Sequence, residues 1–389
     1  MNQETLNFIQ KNADADVRQL ALKGTKDTKV DLTFALEQIA GRQKARIKLP
    51  FWAAIDGIVY PPHLSMEQCS SEQTARYKAS IVSEGALVVD LTAGFGVDMA
   101  FISQRFQHAV HVERQTQLCA ISSGNYKRLG LNHIDVVCGD GVDYLHQMPY
   151  ADLLFIDPAR RDHHGGRTYG IADCTPNVIE MRDEMLEKAD KVMIKLSPML
   201  DWQKAVSDLG HVREVHIVSV DNECKELLLV LSKQEKPLEI YCVNNEDVFK
   251  YEPYQQKQMS SLEPLASSSA KYLYEPNASI MKAGCFELLS QRFKLSQLDK
   301  NSHLFVSEKE ITDFPGRQFT IEAQTSMNKR DLKEALSGIS QANLTVRNFP
   351  MSVAELRKRL KQKDGGDVYI FATTVANQGH QLFVCRKKP

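Results

Sequence analysis

Four acidic residues, Asp90, Glu113, Asp140 and Asp157, stand at or just beyond the ends of short apolar runs. The runs Ala86 to Leu91, Ala109 to Val112, Ile134 to Cys138 and Leu153 to Ile156 read as strands. Open α/β sheets bind ligands beyond the carboxyl ends of their strands, so acids at four neighbouring ends predict one site. The first acid opens the run Asp90-Leu91-Thr92-Ala93-Gly94-Phe95-Gly96-Val97-Asp98. Gly94 and Gly96 remove side chains where a ligand must approach, and they permit turn dihedrals that other residues resist. A helix expected over Met99 to Phe106 would offer free N–H groups and the positive end of a dipole.

Two ligands compete for such a turn. A dinucleotide fold wants G-x-G-x-x-G and an acid about 20 residues further on. Met99 occupies the third glycine position, so that fingerprint is broken. S-adenosylmethionine has no pyrophosphate to cradle, and its sulfonium and α-amino group suit acids such as Asp90. On this reading Asp90, Thr92, Gly94 and Gly96 hold the cofactor together with Glu113 and Arg114 on the ribose side. Asp140 and Gly141 face the adenine, and Ser71, at an expected helix start, either simply caps that helix or reaches the amino-acid end.

Methyl transfer from a sulfonium is an in-line displacement in which positioning supplies much of the rate. Asp157-Pro158 offers a carboxylate and a rigid turn to orient an amine, and these two are the expected catalytic residues. Arg160 and Arg161 follow and either are solvated or grip a phosphate near the target. Lys195, near the end of a fifth strand (Val192 to Leu196), joins them on the substrate side. No cysteine follows that strand, and Cys174 reads as a small buried hydrophobe rather than a nucleophile. His163-His164 are adjacent, which suits a mobile loop better than a metal, so no metal is expected.

The elements that must position these residues fill the rest of 389 residues. Residues 1–80 read as a helical N-terminal domain with helices over Thr5 to Lys11, Ala15 to Leu22 and Asp31 to Ala40. Asp31 is the expected N-cap of the third helix and Gly41 its stop. The cations of Arg42-Gln43-Lys44-Ala45-Arg46-Ile47-Lys48 are either a solvated segment or a phosphate-contacting patch. Residues 81–233 alternate strand and helix, the pattern of a doubly covered parallel sheet. Strands Glu214 to Val220 and Glu226 to Leu231 lie too close for a crossover helix, so they close the sheet as an antiparallel hairpin. Residues 234–305 form a small α+β domain with a strand at Leu238 to Val243 and a helix at Ala278 to Leu289. Residues 306–389 form a last α/β unit, with the turn Asp364-Gly365-Gly366 leading into a final hairpin.

Hydrophobic residues make up 43% and charged residues 25%, and the net charge is −1, which argues against nonspecific coating of nucleic acid. The eight cysteines form no C-x-x-C pair. The chain shows no secretory signal at its start and no run long enough to span a membrane, so a cytoplasmic location is expected.

The chain resembles class I S-adenosylmethionine-dependent methyltransferases, and within them a bacterial group with a C-terminal THUMP-like domain. The resemblance rests on Tyr60-Pro61-Pro62-His63-Leu64-Ser65-Met66-Glu67-Gln68, the Asp90 to Gly96 loop and Asp157-Pro158-Ala159-Arg160-Arg161. It extends through Lys195-Leu196-Ser197-Pro198, Tyr274-Glu275-Pro276-Asn277-Ala278, Val346-Arg347-Asn348-Phe349-Pro350 and Asp364-Gly365-Gly366. It implies a Rossmann-like sheet followed by a ferredoxin-like and a THUMP-like domain. THUMP domains accompany RNA-modifying enzymes, which implies RNA as partner, with Arg357-Lys358-Arg359 and Lys361 as the expected contacts. The catalytic part also looks like guanine-N2 methyltransferases, which carry Asp-Pro-Pro and an aromatic. Here no aromatic follows Pro158, and Trp202, Tyr169 or Phe95 is left to stack a base. The expected function is methylation of tRNA or rRNA at a base exocyclic nitrogen. The alternatives are a methyltransferase for a small molecule or protein, and a non-catalytic module binding S-adenosylmethionine or RNA.

Overall fold

The structure is a computed structural model that describes residues 2–160, 170–253 and 269–388. Arg161, the histidine pair 163–164 and Tyr169 lie outside the described residues, as does the side chain of Arg160. The chain divides into two compact units, Met1–Val215 with Glu226–Pro237, and His216–Lys225 with Leu238–Pro389.

The first unit begins with helices α1 (Gln3–Lys11), α2 (Val17–Lys23) and α3 (Leu32–Lys48). Each starts at a residue whose side-chain oxygen accepts an otherwise orphaned N–H. Asn2 accepts from Thr5 at 2.9 Å, Asp16 from Gln19 at 2.9 Å, and Asp31 from Phe34 at 3.0 Å. Such caps are worth about 1 kcal/mol each. Gly41 does not stop α3, which runs on to Lys48. The glycine is there for packing: a Cβ at position 41 would lie 2.4 Å from the Tyr60 Cβ. The extension places the cations of 42–48 on one helix, where each meets a partner. Lys44 pairs with Glu67 and Arg46 with Asp14, and Arg42 lies 4.0 Å from Asp56. Lys48 donates to the carbonyls of Met66 and Glu67 at 3.1 and 2.6 Å. They therefore tie the helix to its surroundings rather than form an open phosphate patch.

Helix α4 (Glu72–Ser80) leads into the sheet, whose strands here are β1 (Gly85–Asp90), β2 (Phe106–Glu113), β3 (Ile134–Cys138), β4 (Ala151–Ile156), β5 (Ala189–Leu196), β6 (Val212–Val220) and β7 (Glu223–Leu231). Within the first unit the order is β7-β5-β4-β1-β2-β3. β1 pairs in parallel with β2 and β4, β2 with β3, and β4 with β5. β7 runs antiparallel to β5, the reversal expected from the hairpin. Asp221 and Asn222 between β6 and β7 both have positive φ, 50° and 61°, the backbone of a tight two-residue hairpin turn. Val88, Val89, Leu154, Ile156, Val192 and Ile194 of the central strands are fully buried. Each contributes about 1.5–3 kcal/mol of hydrophobic stabilisation, and together they hold the strand ends in register.

The expected helix at 99–106 starts earlier, as α5 (Val97–Ile102). A short 3-10 turn (Ser103–Arg105) follows, and Phe106 already belongs to β2. The remaining helices of this unit are α6 (Thr116–Arg128), α7 (Gly141–Gln147), α8 (Val178–Lys188) and α9 (Trp202–Leu209).

In the second unit, β8 (Glu239–Asn244) and β9 (Asp247–Tyr251) form an antiparallel hairpin. A separate sheet contains β10 (Tyr272–Pro276), β11 (Phe305–Ser307), β12 (Gly316–Ser326), β13 (Asn343–Arg347), β14 (Val368–Val375) and β15 (Gly379–Lys387), in the order β11-β10-β12-β15-β14-β13. The single helix expected over 278–289 is two, α10 (Ala278–Ala283) and α11 (Phe286–Phe293). Gly284 separates them with φ 72°, a left-handed helix end that favours glycine. Helices α12 (Lys329–Ala335) and α13 (Val353–Leu360) bring their apolar side chains to one face of the sheet, among Ile370, Ala372, Leu382 and Val384. Leu273, Phe319, Phe371 and Phe383 form a second core on the other face.

Candidate active site

The turn after β1 folds because its glycines and acids satisfy its backbone. Asp90 is buried and accepts the Thr92 N–H at 2.9 Å. Burial pushes its carboxyl well above the usual carboxylate range. Gly94 and Gly96 have φ of 56° and 83°, in the left-handed region. Glu113 closes the turn from the next strand, accepting the Gly94 N–H at 3.0 Å and the Gln115 N–H at 2.7 Å. Each carboxylate oxygen has a second lone pair, so Glu113 keeps acceptor capacity for a hydroxyl. Tyr126 of α6 supports the loop from behind, donating to the Gly96 carbonyl at 3.2 Å and lying 2.7 Å from His111 Nδ1. Burial lowers the His111 imidazole to about 3, so it is neutral near pH 7.

Space and crowding alternate around this turn. A Cβ on Gly96 would meet the Tyr126 hydroxyl at 2.1 Å, and one on Gly141 would meet the Leu91 carbonyl at 2.1 Å. A Cβ on Gly139 would meet nothing within 4 Å, and one on Gly94 only the Thr92 carbonyl at 4.0 Å. The space over Gly94 and Gly139 is therefore open, with the Glu113 carboxylate bonded at the first and exposed Asp140 following the second. That arrangement fits a cationic nucleoside such as S-adenosylmethionine. Asp140 is exposed and caps α7 by accepting the Val142 N–H at 2.8 Å. Arg114 is exposed. Ser71 caps α4, accepting the Thr74 N–H at 3.2 Å.

Gly96→Ala is expected to destabilise the protein by about 1–3 kcal/mol, from its left-handed φ and the Tyr126 contact. Gly139→Ala should stay within about 1 kcal/mol of wild type while weakening cofactor binding. Urea denaturation of both variants checks the contrast. Equal stability of the two would contradict it.

Asp157 follows β4. Its N–H donates to the Thr92 hydroxyl at 2.7 Å, which ties the two strand ends together. Its carboxylate meets Lys195 Nζ at 2.5 Å. Pro158 is buried behind it, and Ala159–Arg160 pairs with Cys174–Thr175 in a small two-stranded sheet. Cys174 is buried, consistent with a structural role.

Lys195 opens a buried ionic network. Its Nζ also lies 3.3 Å from the Ser70 hydroxyl and 3.5 Å from Asp98 Oδ2. Asp98 accepts from Ser70 at 2.7 Å and lies 3.1 Å from Lys78 Nζ. Lys78, with no exposed side-chain surface, reaches Glu226 of β7 at 2.5 Å. Burial alone would lower the Lys195 ammonium, but Asp157, Asp98 and Glu226 outweigh it and hold it well above the usual lysine range. Burial raises Asp98, yet Lys78, Lys195 and the Ser70 hydroxyl bring it below the ordinary carboxylate value. Burial raises Glu226, and here the lysines only partly offset it.

The structure thus brings Asp90, Thr92, Gly94, Gly96, Glu113, Asp157 and Lys195 into one region and sets Asp140 and Gly141 at the neighbouring strand end. The sequence assigns no role to Lys78 or Glu226, and Asp98 stands there only as the end of the glycine-turn run. The available signal was helical spacing: Thr74, Ala75 and Lys78 share the buried face of α4, so a lysine sits where an apolar residue is expected. Two stacking candidates are corrected. Phe95 is buried edge-on against Trp52, with ring centroids 5.0 Å apart, and Trp202 is buried as well. Neither offers a face to a base. Among the described residues no cluster could hold a metal ion, and no helix is long and apolar enough to cross a membrane.

Comparison with known proteins adds the following. Residues 65–160 match the family described as Protein-L-isoaspartate(D-aspartate) O-methyltransferase, residues 272–315 a ferredoxin-like domain, and residues 316–387 a THUMP domain-like family. A crystal structure described as a putative methyltransferase from Porphyromonas gingivalis W83 is 32% identical, covering 100% of this chain and 99% of that one, with a TM-score of 0.89. An rRNA methylase from Streptococcus thermophilus is 15% identical over 42% of this chain and 95% of its own, with a TM-score of 0.30. M. capricolum TrmK, in complex with S-adenosyl-homocysteine, is 10% identical over 57% of this chain and 86% of its own, with a TM-score of 0.35. Likenesses at those last two scores carry no weight for this chain. No protein of curated function matches it.

Proposed function

This chain belongs to the methyltransferase family with C-terminal ferredoxin-like and THUMP-like domains, and we propose that it is an S-adenosylmethionine-dependent enzyme that methylates an exocyclic nitrogen of a base in tRNA or rRNA. The bound cofactor supplies an electrophilic methyl group. Asp90 and the Gly94–Gly96 turn hold its amino-acid end, Glu113 its ribose, and Asp140 with Gly141 its adenine. The observation that carries the reading is Asp157. Its backbone is fixed to Thr92 at 2.7 Å, so its carboxylate stands beside the cofactor turn. One carboxylate oxygen is held by Lys195, and the other accepts an amine N–H and aims the nitrogen lone pair at the methyl group. Arg160 and Arg161, next in the chain, contact the nucleic-acid backbone. Residues 81–233 form the catalytic domain, with the helical region 1–80 before it.

A second reading draws on the same ion pair. An ammonium against Asp157 also suits an acceptor that reacts through an anionic oxygen, in a protein or a small molecule. Incubation of the full chain with methyl-labelled cofactor and separated RNA, protein and small-molecule fractions decides between them. Label in RNA supports the proposal. Label in protein or small molecules alone overturns it and favours the second reading.

A further inference from the structure

The second unit carries a cationic cluster outside the proposed active site. Glu275 of β10 is buried, with 3% of its side chain exposed. Arg317, its cross-strand neighbour on β12, donates Nε to Oε2 at 2.7 Å and adds a second bond from Nη2. Arg347, at the end of β13, donates Nη2 to the other oxygen at 3.0 Å. Both arginines keep 36% of their side chains exposed. One carboxylate balances one guanidinium, so one positive charge is left over. Lys387 of β15 is the register partner of Phe319 and so faces the same side as Arg317. It is exposed and makes no ion pair among the described residues. Of the opposing charges, Asp299 accepts from Asn348 at 3.0 Å and faces His303, and Glu310 is paired with Lys388. The cluster remains net positive.

We propose that Arg317 and Arg347, held by Glu275 and flanked by Lys387, form a phosphate-binding fork for the backbone of an RNA strand. A guanidinium presents N–H pairs that match phosphate oxygens two at a time. The buried carboxylate takes the Nε–Nη2 edge of Arg317 and one Nη2 hydrogen of Arg347. Their outer N–H groups therefore reach solvent already oriented, and less side-chain freedom is lost on binding. Arg317 is steadied further by the Phe319 ring, 5.6 Å away.

The cluster lies on the sheet face opposite α13. Leu356 and Leu360 of that helix pack with Ile370, Ala372 and Val384, whereas Phe319, Phe371 and Phe383 point the other way. Arg357 on α13 is engaged at 2.5 Å by Asp364 and donates to the Ala342 carbonyl at 3.1 Å, so it is committed within the fold. The proposal therefore adds an RNA contact on the face opposite α13, whose Lys358 and Arg359 are exposed. The choice of RNA rests on the function proposed above, whereas the phosphate chemistry stands on the arginines alone.

The test uses the full chain, a short labelled single-stranded RNA, and anisotropy titrations over a range of salt. Each phosphate contact on a single strand contributes about 0.7 to the slope of log affinity against log salt. R317Q/R347Q is expected to flatten that slope by about 1.4. K329Q/R330Q on α12, two exposed cations away from the fork, is expected to leave it unchanged. R347Q alone, which removes one hydrogen bond to Glu275, should flatten it by about 0.7 and covers the case in which the double variant fails to fold. Inorganic pyrophosphate forms the second arm. Wild type that binds pyrophosphate through these arginines but no RNA keeps the fork and removes the RNA reading. Wild type that binds RNA with a slope unaltered in R347Q overturns the fork and leaves the RNA reading standing. Wild type that binds neither overturns the fork.

Discussion

Asp157→Ala is expected to reduce methyl transfer at least about a hundredfold while changing cofactor affinity little, because it removes the group that positions the acceptor rather than the donor. The effect should fall on kcat more than on KM if the carboxylate aligns the acceptor chiefly in the transition state. Asp157→Asn separates shape from charge. It keeps an acceptor oxygen but loses the ion pair with Lys195, which has Asp98 and Ser70 as its other neighbours. The Asn variant should therefore fall between wild type and the Ala variant. The Asp157 side chain is about one-third exposed, so neither variant should unfold the protein. Steady-state kinetics with denaturation controls checks this. Equal rates for wild type and Asp157→Ala would remove Asp157 from the mechanism.

Lys78→Met should destabilise the protein by about 3–5 kcal/mol, the typical cost of removing one partner from a buried ionic network. The deletion leaves Glu226 and Asp98 without the cation at 2.5 and 3.1 Å in a site water does not reach. Pairing it with Glu226→Gln should recover part of the loss, since the second change removes the stranded charge. Urea denaturation of both single variants and the double variant measures the coupling. Additive losses would mean that the two side chains do not act as a pair. The pH dependence has a definite sign. Asp98 titrates below its ordinary value in the folded protein. Its contribution is thus complete above the ordinary carboxylate range and is lost as pH falls through the lowered folded value. Removing Lys78 should make this acid loss shallower.

The parts of the fold that could be read from the chain were those where one physical requirement dominates. Val88, Val89, Leu154 and Ile156 must be buried on both sides, so uninterrupted apolar runs marked their strands. Asp31 was identifiable as a cap because a short acceptor side chain before a periodic segment has few other uses. Glycine was harder. Gly284 ends a helix through its backbone, while Gly41 sits inside one because Tyr60 leaves no room for a side chain. Only the packing partner, which is distant in sequence, distinguishes the two.

The site divides along the same line. Acids at strand ends were visible because topology alone places them together. Lys78 was not, since a lysine on a polar-looking helix is normally solvated, and its two acidic partners come from α5 and β7. Phe95 reads as a possible stacking ring because no aromatic follows Pro158. The structure instead uses it to pack the loop onto Trp52. The cations of 42–48 read as a solvated segment or as a phosphate-contacting patch, and only the fold sets Asp14, Asp56 and Glu67 beside them.

Mass mapping of modified nucleosides from the source organism is the most direct measurement of the central claim, comparing wild type, a strain lacking this protein, and that strain carrying the Asp157→Ala variant. One nucleoside methylated on an exocyclic nitrogen should disappear in the deletion and stay absent when the Asp157→Ala variant is supplied. An identical set of methylated nucleosides in all three strains would contradict it.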